Sequence, residues 1–376
     1  MMLNYIKKVL NTPILRGFLF LLFLISCHSQ ETKLPVVEAH LGVKETTAID
    51  LSDNIELSEY FKALAQRGKF NGVALLSSDS FFTCLHEGLR VNGAADSIQL
   101  NDQFQLASLS KPITALGLLR LVDESIIELD EPVMTYLWDF PYPEITVRSL
   151  LNHTSGMGNY IYVTDSLWNN PDSFMSNHDV YELLRCEQVP TYYPAHKRFD
   201  YCNTNYALIP ILIEEVSGMP FQEYMRLRVF EPLGMFSTYY YQPEDAPSYN
   251  VQGHYPDGSL KKPFYLDAVV GDKSLYSSVF DLYKLFEELK YPTLISSELL
   301  KEAMSIEAKT RSNSYYGLGW RIKPMEDGDT LVYHNGWWRG FRSYFWMSQK
   351  HKKVAIILTN SIRGGYLKQE EIWNLF

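Results

Sequence analysis

Apolar positions recur along this chain in two rhythms, and the rhythms are separated in sequence. From Asn54 to Gln66, Leu57, Tyr60, Phe61 and Leu64 fall on one helical face, and Gly68 follows as a stop signal. Phe70 to Leu76 and Ser80 to Leu85 are β-rich runs separated by Ser77-Ser78-Asp79, which reads as a hairpin. Near the other end, Tyr315 to Ile322, Thr330 to His334, Phe341 to Met347 and Lys353 to Thr359 are strand-like runs joined by short polar or glycine-containing links. The middle has a helical rhythm, at Val147 to Leu151, Val180 to Cys186, Tyr206 to Val216 and Phe221 to Phe230. This segregation predicts an α+β fold in which one antiparallel sheet is flanked by helices. The two ends must meet to complete the sheet. The α/β part is then about 54–129 plus 268–376, with a helical subdomain inserted at about 130–267.

One segment is apolar on nearly every side. After Ser108-Leu109-Ser110-Lys111 and Pro112, only Thr114 and Arg120 interrupt the run to Val122, so a buried helix is expected. Proline suits its first turn, where no intrahelical partner for an N–H is lost. Ser108 and Lys111 are three residues apart and so share a face. A serine at a helix start lies beside free N–H groups that stabilise an oxyanion, and burial of an amine favours its neutral, proton-accepting form. Ser108 is therefore the candidate nucleophile and Lys111 its proton acceptor; the plain alternative is a helix cap and a solvated charge. Ser259-Leu260-Lys261-Lys262 repeats the S-x-x-K spacing, but it follows Pro256-Asp257-Gly258 and precedes Pro263, a turn with no helix behind it.

Two further groups attract attention. Tyr201 and Asn203 flank Cys202 and, in an extended stretch, would point the same way. A phenol beside an ammonium can act as a base, and a carboxamide can both donate to and accept from a substrate amide. His334-Asn335-Gly336 ends one strand-like run shortly before the next begins. Its glycine would admit a substrate backbone, Trp337 would offer a second oxyanion N–H, and His334 is either a proton participant or a satisfied structural histidine.

These three groups, in this order, resemble the serine β-lactamase and penicillin-binding protein superfamily, especially its class C-like esterase and D-peptidase branch. The resemblance runs from about Asn54 to Asn360. It includes Phe70-Asn71-Gly72-Val73, Phe104-Gln105-Leu106-Ala107, Leu150-Leu151-Asn152-His153-Thr154-Ser155-Gly156, Phe199 to Tyr206, Pro232-Leu233-Gly234-Met235 and Leu275 to Leu282. It implies a cleft between the sheet part and the helical subdomain. Ser108 would form an acyl-enzyme, Lys111 and Tyr201 would move protons, and Asn203 would bind the substrate amide or ester. The backbone N–H groups of Ser108 and Trp337 would form the oxyanion hole, with neither metal nor cofactor. His334-Asn335-Gly336 stands where efficient β-lactamases usually carry Lys-Thr-Gly, which turns the expectation from antibiotic hydrolysis toward esters and D-amino-acid amides or peptides. Arg339 or Arg342 is the expected substitute for the missing lysine charge; the plain reading is a solvated surface face.

The first residues add an address. Lys7, Lys8 and Arg16 precede a short apolar run from Gly17 to Ile25, too short to span a bilayer, and then Ser26-Cys27. The pattern reads as an export signal over 1–27, with Cys27 resembling the lipidated residue of a bacterial lipoprotein. A tether over 28–53 then leads to the catalytic domain, 54–376. The expected location is the bacterial envelope, at the periplasmic or outer-membrane face, with the membrane as a partner through the lipid. The remaining Cys84, Cys186 and Cys202 are odd in number, so no disulfide framework carries the fold. With 46% hydrophobic residues the chain can bury a large core, and a net charge of -10 with scattered Lys and Arg argues against nucleic acid. A small molecule or a peptide, including one derived from peptidoglycan, is the expected substrate. The rival is an envelope-anchored binding or sensor protein that keeps the cleft without turnover; β-lactamase action is the remaining alternative.

Overall fold

The computed structural model describes residues 55–168, 173–187, 189–245, 251–310, 313–360 and 367–376. The export signal, Cys27 and the tether lie outside the described residues. In chain order the elements begin with helix α1 (Ile55–Gln66), strands β1 (Gly72–Ser78), β2 (Phe81–Glu87) and β3 (Phe104–Gln105), then helix α2 (Ser110–Asp123). Helices α3 (Val147–Leu151), α4 (Tyr160–Leu167), α5 (Asn177–Glu187), α6 (Asn203–Ser217) and α7 (Phe221–Met225) follow. The chain then returns through β4 (Tyr239–Tyr240), β5 (Leu275–Ser277), α8 (Val279–Lys290), α9 (Ser297–Ala303), β6 (Ala308–Lys309), β7 (Tyr315–Tyr316) and β8 (Arg321–Pro324). It closes with β9 (Thr330–Trp338), β10 (Phe341–Ser348), β11 (Val354–Thr359) and α10 (Gln369–Trp373).

Eight strands form one antiparallel sheet in the order β2-β1-β11-β10-β9-β8-β7-β6. The first hairpin joins the last strands through β1 and β11, with Gly72 opposite Thr359 and Ser77 opposite Val354. Gly72 is required there, because a Cβ would sit 2.0 Å from the Leu358 carbonyl oxygen. Alternation sends Val73, Leu75, Phe345, Ile356 and Leu358 to the core shared with α2 and α6. Ala74, Leu76, Tyr344, Trp346, Ala355 and Ile357 face the opposite core, filled by Leu57 and Phe61 of α1 and Ile372 of α10. Both faces of the central strands are covered, which is why β11 reads as a continuous apolar run.

Helix α2 crosses the first core with only Arg120, Val122 and Asp123 reaching the surface. Each fully buried leucine or isoleucine of such a helix stabilises the fold by about 1.5–3 kcal/mol relative to exposure. Two local expectations change. The run from Tyr315 to Ile322 is divided at Gly317-Leu318-Gly319 into β7 and β8 rather than forming one strand. Tyr239 and Tyr240, within the stretch read as helices and loops, pair with β5 in a small sheet ordered β3-β5-β4. That strand is made by a tertiary contact, the stacking of Tyr239 on Tyr276 at 5.6 Å, which a local pattern does not encode.

Candidate active site

Ser108 lies in a single 3-10 turn, Ala107–Leu109, that feeds directly into α2. The helix therefore begins just after the serine rather than at it. Ala107 adopts a left-handed conformation, φ 50°, a strained setting for a residue with a Cβ and one that recurs where side chains are aimed at a site. Lys111 is fully buried in the first turn of α2. Its Nζ donates to Ser108 Oγ at 3.2 Å, to Asn203 Oδ1 at 2.8 Å and to the Asp272 carbonyl at 2.8 Å. Three oxygens thus surround this nitrogen, and Ser108 Oγ lies within proton-transfer reach of it. By contrast, Ser259 is exposed in a turn and donates to Asp257 Oδ1 at 2.6 Å, so the second S-x-x-K is local turn chemistry.

Tyr201 joins this group from the extended segment before α6. Its ring centroid lies 5.0 Å from Lys111 Nζ, and its phenol makes no hydrogen bond to another described residue, leaving the oxygen available to a substrate. Asn203 opens α6 instead of continuing an extended stretch, yet it reaches the same ammonium. Cys202 is buried away from solvent, as alternation predicts. Cys84, Cys186 and Cys202 are all free thiols.

The His334-Asn335-Gly336 segment differs from its expected role. His334 is fully buried, its Nδ1 is 2.9 Å from the Asn335 carbonyl and its Nε2 3.1 Å from the Tyr316 hydroxyl. A carbonyl can only accept, so Nδ1 carries the proton and Nε2 accepts from Tyr316. Burial, then Arg321 and Lys111, holds this imidazole well below its usual range and hence neutral. It supplies no fixed positive charge. Asn335 alternates to the other sheet face, where its Oδ1 accepts from Trp346 Nε1 at 2.8 Å. Gly336 admits the serine-bearing segment, not a substrate: a Cβ there would sit 2.0 Å from the Leu106 carbonyl and 3.1 Å from the Ala107 Cβ. Beyond Tyr333, β9 has no partner from β8, so its edge from His334 to Trp338 is open among the described residues. The Trp337 side chain is 60% exposed. Arg339, in the β9–β10 turn, faces Asp267 at 3.6 Å and Phe264, and is committed there rather than to Ser108.

Three contributors escaped the sequence reading. The Asp272 carbonyl fixes Lys111, and behind it the buried Asp272 and Lys273 form an ion pair that also engages the Tyr160 hydroxyl. Arg321 of β8 places its guanidinium 5.1 Å from the Tyr201 ring centroid and has no ion pair with a described residue. His153 packs its ring 4.4 Å from that of Tyr201. A cavity of about 840 Å³ opens beside Tyr201, lined by Lys197, Arg198, Asp200, Lys309 and Arg321; Ser108 is not on its wall. Asp327, Asp329 and His351 bring ligand atoms within 4.8 Å of one another. They sit beyond the other end of β9, and Asp329 already accepts from Thr330 and Lys350 N–H groups and the Ser348 hydroxyl.

The β-lactamase family model matches residues 57–370. The chain belongs to the β-lactamase family. It is 29% identical over 321 residues to a penicillin-binding protein of Bacillus subtilis, covering 81% of this chain and 71% of that protein. Among solved structures, a penicillin-binding protein from Bacillus halodurans superposes with a TM-score of 0.76 at 25% identity, covering 84% of this chain and 99% of the other. A D-amino acid amidase from Ochrobactrum anthropi, solved with D-phenylalanine, gives 0.71 at 22% identity, covering 85% and 95%; at that identity the likeness is one of fold. Family membership makes this a serine acyl-enzyme hydrolase scaffold and agrees with the sheet and helices described above.

Proposed function

We propose that this family member is an exported serine hydrolase that forms an acyl-enzyme on Ser108, using an ester or a D-amino-acid amide or peptide at the bacterial envelope. The observation that carries the reading is the contact of Ser108 Oγ with Lys111 Nζ at 3.2 Å, on a buried helix, with Tyr201 beside them. The serine oxygen attacks the substrate carbonyl, its proton passes to the Lys111–Tyr201 pair, and the same pair returns a proton to the departing amine or alkoxide. Water then hydrolyses the ester formed on Ser108. The backbone N–H groups of Ser108, in the turn before α2, and of Trp337, on the open edge of β9, are the oxyanion donors in this reading.

Arg321 narrows the substrate. Its guanidinium lies against the Tyr201 ring with no carboxylate partner among the described residues, on the side where, in this reading, the leaving group would depart. A carboxylate on the leaving portion, as in a peptide ending in a free D-residue, fits that charge. Purified protein should be labelled on Ser108 by a fluorophosphonate or penicillin probe, and Ser108→Ala should lose both labelling and turnover. Arg321→Ala should raise KM about 10-fold or more for a D-alanyl-D-alanine substrate and leave its C-terminal amide little changed. Labelling without turnover of esters, amides or peptides would favour the binding-protein reading; labelling unchanged in Ser108→Ala would overturn the assignment.

A further inference from the structure

His153 has no part in the proton path above, yet it touches the chain on both sides of Tyr201. Its carbonyl accepts from the Asp200 N–H at 2.8 Å, and its Nδ1 accepts from the Cys202 N–H at 3.2 Å. Between these two bonds the imidazole lies against the Tyr201 ring, with a centroid distance of 4.4 Å and an interplanar angle of 39°. The bonds need a special backbone, and His153 provides it with φ 59°. Asn205 Nδ2, 3.1 Å from the same Nδ1, and Ser155, whose hydroxyl donates to Asn205 Oδ1 at 2.6 Å, steady the ring.

A backbone N–H can only donate, so Nδ1 is the acceptor and the proton is on Nε2. That Nε2–H is buried without a hydrogen-bond partner among the described residues, walled by Phe199, Tyr206 and Tyr316. An orphaned buried donor is unfavourable, and a phenylalanine would fill the same space without one. What phenylalanine lacks is the Nδ1 acceptor. We infer that His153 is the positioning residue for Tyr201: its carbonyl and Nδ1 grip the backbone on either side while its ring backs the phenol, fixing the phenol oxygen relative to Lys111 and Ser108. The inference deepens the hydrolase reading and rests on it. Burial, with Lys111, Arg321 and His334 as cationic or ionisable neighbours, keeps the imidazole neutral, so Nδ1 stays an acceptor.

Two variants separate grip from bulk. His153→Asn places a carboxamide oxygen where Nδ1 accepts and tolerates the left-handed backbone, whereas His153→Leu keeps volume without an acceptor. The rate of Ser108 labelling should fall about 10-fold or more in His153→Leu and recover largely in His153→Asn. Tyr201→Phe should cost much less in the leucine background than in the wild type, because both changes remove one contribution. Fluorine NMR of fluorotyrosine placed at position 201 should show a shifted or divided line in the leucine variant and a single wild-type-like line in the asparagine variant. Equal losses in the two variants, losses that multiply with Tyr201→Phe, or an undisturbed fluorine line in folded His153→Leu would overturn the inference. Should His153→Leu fail to fold, the fluorine line of His153→Asn decides: a displaced line overturns, a wild-type-like line supports. Absence of Ser108-specific labelling in the wild type would instead sink the hydrolase reading, and the fluorine line would still decide whether His153 positions Tyr201.

Discussion

The Ser108–Lys111 turn and the His334–Gly336 strand end meet at the same place in the fold but are organised in opposite ways. In the first, side chains converge: serine, lysine and, from α6, asparagine are joined through one nitrogen. In the second they diverge, with His334 sealed under Tyr316, Asn335 on the far sheet face and Gly336 selected for having no side chain. A helix brings residues three apart onto one face, whereas a strand sends neighbours to opposite faces. Three consecutive strand residues cannot all face one substrate. The strand end instead offers its backbone edge and a surface on which the serine turn rests.

The most severe test of this contrast is Gly336→Ala. The added methyl would meet the Leu106 carbonyl at 2.0 Å, backbone against backbone, so either β9 or the serine turn must move. We expect a loss of about 3 kcal/mol in stability, at the upper part of the range for overpacked sites, together with greatly reduced Ser108 labelling. Urea unfolding and probe labelling on the same preparation measure both. A variant with wild-type stability and labelling would show that the turn does not depend on the strand.

The second test concerns the sealed histidines. His153 and His334 are both held well below the ordinary histidine value of 6.5, first by burial and then by Lys111 and Arg321. As pH falls through 6.5, the unfolded chain takes up protons that the folded chain refuses, so stability is present above that pH and is lost below it. Each such histidine contributes a slope of about 1.4 kcal/mol per pH unit once the unfolded form is protonated. Urea midpoints for the wild type and His334→Gln at pH 7.5 and 5.5 should show a shallower decline in the variant. Equal declines would mean that His334 gains a proton in the folded state, as an exposed substrate-binding histidine would.

How much of this was legible follows the same geometry. The strand runs at both chain ends could be read because β-rich composition bounded by turn residues is a local signal, and Ser108 with Lys111 could be read because three residues make nearly one turn. Arg321, His153 and the Asp272 carbonyl could not. Arg321 reaches Tyr201 only after β8 and the segment before α6 are packed together, and a main-chain carbonyl has no residue type to announce it. His153 stood inside a recognised stretch, Leu150 to Gly156, but its role depends on a left-handed backbone that no pattern in the chain states. His334-Asn335-Gly336 was expected to meet the substrate as one segment, although the alternation applied to Tyr201 and Asn203 already divides its side chains between two faces. Arg339 was matched to the substrate by charge alone, and a buried carboxylate, Asp267, stands closer.

The smallest expected effect is the most discriminating, because it falls on a residue that motif and structure place differently. If Asn335 bound the substrate, Asn335→Ala would raise KM or slow acylation. The structure puts its carboxamide on the face away from Ser108, where Oδ1 receives the indole N–H of Trp346, a side chain only 1% exposed. Removing that acceptor leaves a buried donor unpaired, which costs about 1–3 kcal/mol, with the lower end expected because the half-buried site can admit water. Asn335→Ala should therefore lower the urea midpoint modestly and shift tryptophan emission, while kcat and KM stay within about 2-fold of the wild type, as for a change outside the reacting groups. Asn335→Asp keeps an acceptor for the indole and should recover most of the stability. A variant with intact stability but impaired turnover would return Asn335 to the cleft, and the contrast between a converging turn and a diverging strand would fail at its central residue.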